Sequence, residues 1–148
     1  MTLAQTATKS FKVELPQGIH NFGPTSPDTF KIALYTAAAN LDGSTAVYTT
    51  SGEVVGTGYA AGGNTLVITT TPVAANNSAN VPTAYFSFAN SSWTSATFTA
   101  RAALIYNSTE GNKSVAVLDF GADKTVSNDT FQIIFPTADA NSAIVRIS

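Results

Sequence analysis

The chain has 148 residues, nine Asp and Glu against seven Lys and Arg, a net charge of −2 and no cysteine. This excludes a broad basic face for nucleic acid, and it excludes disulfides and thiolate metal sites outright. Charged residues are 11% of the sequence, against roughly 25% in ordinary soluble domains, so the polar surface has to come from Thr, Ser and Asn.

Hydrophobic residues are 44% of the chain, enough for one domain with a sizeable core. Thr is β-branched, and Ser and Asn compete with helical backbone bonds, so this polar set suits strands and turns. No apolar run reaches the roughly 18 residues of a membrane span. The first ten residues lack the basic and apolar regions of a signal peptide, so the chain is expected to be made in the cytoplasm and to stay there or leave it as part of an assembly.

In chain order, residues 1–10 are small and polar and read as a flexible arm. Phe11, Val13 and Leu15 alternate with Lys12 and Glu14, which predicts a short strand. A helical stripe of Phe11, Leu15 and Ile19 competes with it, and Pro16 argues against the helix. Gly18 to Asp28 is dense in breakers and reads as a loop. Thr29 to Thr36 is a clear strand, with Phe30, Ile32 and Leu34 on one side and Lys31, Ala33 and Tyr35 on the other. Ala37 to Leu41 suggests a helical turn before Asp42-Gly43, and Ala46 to Thr49 a second short strand.

Gly52 to Asn64 is glycine-rich, and Leu66 to Thr71 is β-branched. Pro72 to Pro82 reads as a loop, Ala84 to Phe88 as a strand, and Asn90 to Ser95 as a turn carrying the one Trp. Ala96 to Asn107 is a long strand. A hairpin loop containing Gly111 joins it to Ser114 to Gly121. Asp123 to Asp129 reads as a turn, and Phe131 to Pro136 and Ala143 to Ile147 as the closing strands. Eight or nine short strands without helical patterns between them predict an all-β, antiparallel β-sandwich, jelly-roll-like, with residues 11–148 as its single domain.

Few residues offer chemistry. His20 is the one histidine, and no acidic or histidine cluster surrounds it at ligand spacing; it reads as a loop hydrogen-bonder. Asp119, Asp123 and Asp129 flank turns, where such side chains cap local backbone. The glycines at 56, 58, 62 and 63 lead into a strand rather than a phosphate-binding helix, so bulges and tight turns account for them. No nucleophile elbow is present. The chain reads as non-enzymatic, with no cofactor, no metal, no nucleic-acid partner and no membrane. The aromatics Trp93, Tyr35, Tyr48, Tyr59, Tyr85 and Tyr106 are candidates for a sugar-stacking surface, and Tyr35, Tyr59, Trp93 and Tyr106 among them for an interface.

Several segments together resemble a family of small virion structural proteins of tailed bacteriophages. They are Ser10 to Phe22, Asp28 to Thr36, Gly52 to Gly63, Trp93 to Asn107 and Ser114 to Lys124. The resemblance spans nearly the whole chain; Pro16 departs from it, a leucine-like residue being more usual there. It implies a capsid cement or decoration subunit on the outer surface of the virion head, with the major capsid protein and copies of itself, as dimer or trimer, as partners. It also leaves open a phage tail or host-recognition module that binds glycans. On the cement reading, Thr2, Leu3, Gln5, Thr8 and Phe11 are candidate capsid contacts on an arm that orders on its neighbour.

Overall fold

The computed structural model describes all 148 residues. The elements in chain order are β1 (Thr6–Ala7), α1 (Lys9–Glu14), β2 (Phe30–Tyr35), β3 (Asn64–Thr65), β4 (Ile68–Asn76), β5 (Pro82–Phe88), β6 (Ser91–Asn107), β7 (Lys113–Ile133) and β8 (Val145–Ile147). They form two antiparallel sheets, one ordered β1-β7-β6-β2-β3 and the other β4-β5-β8. With 4% helix and 49% strand, the chain is an all-β sandwich and a single domain.

β2 lies inside the larger sheet, and both of its faces are covered. Phe30, Ile32 and Leu34 enter the main core between the sheets, while Ala33 and Tyr35 join Leu41, Leu104, Tyr106 and Val117 in a second cluster behind it. The main core is a chain of phenylalanines. Phe22 stacks on Phe30 with ring centroids 4.1 Å apart and meets Phe86 of the opposite sheet at 4.0 Å. Phe88 continues the chain to Phe135. Rings at these separations add to the gain from burying their area.

β6 and β7 form the long hairpin on which the sheet is built, and its turn falls at Gly111 as the sequence suggests. Its register shifts at Trp93/Ala96, Ala96/Thr97, Ala100/Ala102 and Ile105/Tyr106. These bulges let two long strands bend around a small core. In a straight strand Phe120 and Phe131 would sit roughly 36 Å apart. Their ring centroids are 6.2 Å apart instead. Arg101 spans the widest bulge, reaching Asp119 at 3.3 Å and Asp123 at 3.9 Å. The turns expected at Asn90 to Ser95 and Asp123 to Asp129 are therefore bulged strand: the turn-forming residues are present, but each serves a bend within the hairpin. Ser95 and Asn128, both at positive φ, mark two of those bends.

Four other expectations are corrected. Residues 9–14 are helix, not strand. Thr8 caps the helix by accepting from the Phe11 N–H, and the helix ends at Glu14, with Leu15 as its C-cap before Pro16, so the proline ring never meets a helix interior. Residues 1–10 are not a separate flexible arm. Ala4 N–H donates to the Leu41 carbonyl, Leu41 N–H to that of Thr2, and β1 pairs with Val117 and Ala116. Backbone pairing, not side-chain apolarity, holds this segment, so a composition rich in small polar residues concealed it. Pro72 to Asn76 belongs to β4, with Pro72 at a bulge in an edge strand, where a missing N–H is tolerated. Ala46 to Thr49 makes one isolated bridge, Val47 to Lys113, rather than a strand.

Gly63 packs closest of the glycines. A Cβ there would lie 1.8 Å from the Ile32 carbonyl oxygen, and φ is +70°. Gly121, at φ +74°, faces open space. Gly121→Ala should therefore cost about 1 kcal/mol, the left-handed penalty alone. Gly63→Ala should cost several times more, because β3 has to leave β2. Urea midpoints of the two variants give the comparison, and equal midpoints would show that the close approach does not hold the loop.

Candidate functional site

Two polar clusters lie inside the molecule. The first centres on Glu53, the one charged residue between Asp42 and Arg101. The loop between β2 and β3 turns back at Gly52, whose φ of +76° and near-contact with Ala39 leave no room for a side chain. This brings the buried Glu53 carboxylate beneath the second core cluster. Its Oε2 accepts from the Tyr48 hydroxyl at 2.6 Å, and its Oε1 accepts from the Tyr59 hydroxyl and the Gly62 N–H, both at 2.7 Å. The Tyr59 oxygen accepts in turn from the Leu34 N–H at 2.9 Å. Tyr106 donates to the Gly62 carbonyl and Tyr35 to that of Thr49. The loop is thus tied to β2 and β6 by hydroxyls and one carboxylate.

Burial, with Glu53 adding its charge, pushes the Tyr106 phenol up to about 12. Burial likewise raises Tyr35, Tyr48 and Tyr59, and the Glu53 carboxylate reinforces it at each. These phenols stay protonated and donate. Both carboxylate oxygens are engaged, and Glu53 lines none of the four principal cavities. The arrangement is suited to bracing a loop rather than to transferring protons to a substrate.

The second cluster joins α1 to the β6–β7 turn. His20 contacts Glu14 Oε2 through Nε2 at 2.8 Å and Asn107 through Nδ1 at 3.1 Å. The Asn107 amide donates to Asp28 at 2.8 Å, and its oxygen accepts from the N–H groups of Thr109 and Glu110. With the Asn107 amide as donor, His20 Nδ1 accepts and Nε2 donates to Glu14. Lys113 completes the chain with a 3.0 Å contact to Glu14 Oε1. Burial raises the Glu14 pKa, but the hydrogen bonds from His20 and Lys113 and the Lys113 charge outweigh it, and the net position is below the ordinary 4.5. His20 is a hydrogen-bonder, as expected, though a buried one.

The candidate aromatics do not form a surface. Tyr35 and Tyr106 are buried in the second cluster, Trp93 is 4% exposed in the main core, and Tyr59 is partly buried against that core. Trp93 Nε1 is the one buried side-chain polar atom without a partner. The pattern of β6 explains this: Trp93, Ala96, Phe98 and Ala100 share the inward face of a strand where a turn was expected. Among the candidate arm residues, Thr8 and Phe11 are buried, Leu3 is half-buried against the second cluster, and Thr2 and Gln5 are exposed. These five therefore do not act together as a free contact arm.

Two surface features remain. A groove of about 510 Å³ runs along the bent part of β7, lined by Leu118, Phe120, Phe131 and Phe135 with Lys124 and Gln132 at its rim. The other is the β4–β5 hairpin. Every residue from Val54 to Ala100 is uncharged, and from Thr71 to Pro82 all but the half-buried Asn77 are exposed. The tip is braced by Asn77 Oδ1, which accepts from the N–H groups of Ala79 and Val81, and by Ser78 N–H, which donates to Asn141 Oδ1. The run of 47 uncharged positions is legible in the sequence; that it forms an exposed sheet edge is not.

Glu53→Gln replaces one acceptor oxygen with an amide donor among groups that all donate. It should destabilise the fold by about 1–3 kcal/mol, the cost of leaving a buried donor unpaired. Denaturant unfolding measures it, and an unchanged midpoint would mean the loop does not depend on the carboxylate.

For Glu14, the folded carboxyl has the lower pKa. Its ionisation therefore stabilises the fold above the unfolded value of 4.5, and that contribution disappears as pH falls through the lower folded value. Between neutral pH and pH below 4.5, Glu14→Gln should lose less stability than the parent. Parallel unfolding slopes for the two proteins would contradict this.

Comparison with known protein families, with characterised proteins and with solved structures finds no match to this chain, so its function has to be read from its own residues.

Proposed function

We propose that the chain is a non-enzymatic virion structural protein, a capsid cement or decoration subunit that binds the phage head through the major capsid protein and through copies of itself. One observation carries this reading. The polar groups able to do chemistry, Glu53 and His20 above all, are spent on bracing loops, while the surface from Val54 to Ala100 carries no charge. The result is a stiff body with a neutral, hydrogen-bonding exterior rich in Thr, Ser and Asn. Such a surface suits a wide, wet protein interface that does not depend on charge. The resemblance of Asp28 to Thr36 and its companion segments to tailed-phage virion proteins points the same way.

A cement subunit works by mass action: it binds the assembled shell and not the dissociated subunits, and so shifts the balance towards the shell. Stiffness helps, because little entropy is lost on docking. The N-terminal segment contributes differently from a free arm. It pairs with β7 at Ala116 and Val117, and of the candidate contact residues on it Thr2 and Gln5 are left open to a neighbour.

Gold-labelled antibody against this chain should decorate the heads of intact virions, and heads lacking the protein should release DNA at lower temperature. Label confined to the tail would overturn the cement reading.

A further inference from the structure

The groove along the bent part of β7 takes no part in either polar brace. Its floor is aromatic. Phe120 and Phe131, with ring centroids 6.2 Å apart, pack against the main core, stay half-buried, and line the groove together with Phe135. At about 510 Å³ the groove has the size of a small-molecule site. A floor of rings receives the apolar side of a ligand.

Around the floor stand Asp119, Lys124 and Gln132. Each has hydrogen-bonding capacity to spare. Asp119 Oδ1 accepts from Arg101 at 3.3 Å and from the Gly121 N–H at 2.9 Å, which fixes the carboxylate and leaves Oδ2 without a partner. The Gln132 amide nitrogen donates to the Ser92 hydroxyl at 3.1 Å, so its oxygen is left to accept. Lys124 has no ion-pair partner and brings three donors. Charge at this place cancels, with Asp119 and Asp123 matched by Arg101 and Lys124.

We propose that this groove binds a neutral pyranose sugar, with its C–H face on the rings of Phe120 and Phe131 and its hydroxyls on Asp119, Gln132 and Lys124. The chemistry of the lining selects the class. A ligand of net charge finds no opposite net charge to meet. A purely apolar ligand would strip water from the Asp119 carboxylate, the Gln132 oxygen and the Lys124 ammonium and replace none of its hydrogen bonds. A pyranose has both parts: an apolar face for the rings, and adjacent hydroxyls that donate to the two acceptors and accept from the ammonium. A few such contacts make single-site binding weak. Copies held side by side on a particle would add their contacts. That setting rests on the cement reading, while the site itself belongs to the isolated chain.

Isotope-labelled protein is titrated with methyl α-glucopyranoside, methyl β-galactopyranoside and N-acetylglucosamine, and amide shifts are followed by NMR. Hexanol and a blocked trialanine peptide serve as the apolar and peptide comparisons. At least one of the sugars should give saturable shifts at Leu118 to Phe120 and Phe131 to Phe135. Lys124→Ala and Gln132→Ala, both at exposed positions, should each weaken that binding roughly fivefold and keep the unfolding midpoint. Phe131→Ala should abolish it; should that variant fail to fold, the other two decide. No saturable shift with any of the sugars, shifts confined to another part of the chain, unchanged affinity in both folded rim variants, or binding of hexanol or the peptide as tight as that of the sugars would each overturn the proposal. None of these readouts involves a virion, so their failure is distinct from failure of the cement reading.

Discussion

The β6–β7 hairpin bends back on itself, and the rest of the fold depends on that bend. Two strands of 17 and 21 residues cannot remain straight and still enclose a core in a chain of this length. The bulges at Trp93 to Thr97 and Ala100 to Ala102 resolve the conflict, with Arg101 bridging Asp119 and Asp123 across the wider one. Curvature brings Phe98, Phe120 and Phe131 together on the inside of the bend. Before the bend, the same hairpin provides the ladders for β2 and β1.

Around this spine, polar groups do work that backbone ladders leave undone. The loop between β2 and β3 is long and has little regular structure, so its hold on the body comes from Glu53 and the tyrosines. A carboxylate buried without a cation is costly unless its oxygens are well satisfied. Three donors within 2.7 Å supply that satisfaction. Beside the hairpin turn, Glu14, His20, Asn107 and Asp28 fasten α1 and the breaker-rich loop in place. Both clusters convert potentially reactive groups into braces, and both leave the exterior with little charge.

Neutrality of the exterior links the fold to its proposed role. A surface of Thr, Ser, Asn and small apolar residues presents hydrogen bonds and shape rather than field. Docking through such a surface would rest on contact at close range and would depend little on salt screening. On a shell that offers many identical sites, such contacts accumulate through multivalency without any single one being strong.

The sequence by itself determined the fold class. Alternation in Phe30 to Tyr35, β-branched residues in Leu66 to Thr71 and the loop at Gly111 are local signals, and local signals specify strands and hairpins. It also determined that no thiol chemistry occurs and that one span of 47 residues is uncharged. Tertiary structure decided the rest, because long-range pairing has no local signature. Thr2 to Ala7 is ordered by the backbone of Leu41 and of β7, not by its own composition. Turn-forming residues at Asn90 to Ser95 became bulges because the hairpin had to curve. The aromatics Tyr35, Trp93 and Tyr106 went inside because the strand face on which each falls depends on register. Glu53 became a hub because Gly52 turned the chain beneath β2. Whether an apolar or polar residue is core, brace or edge depends on which strand lies beside it, and only the packed sheets settle that.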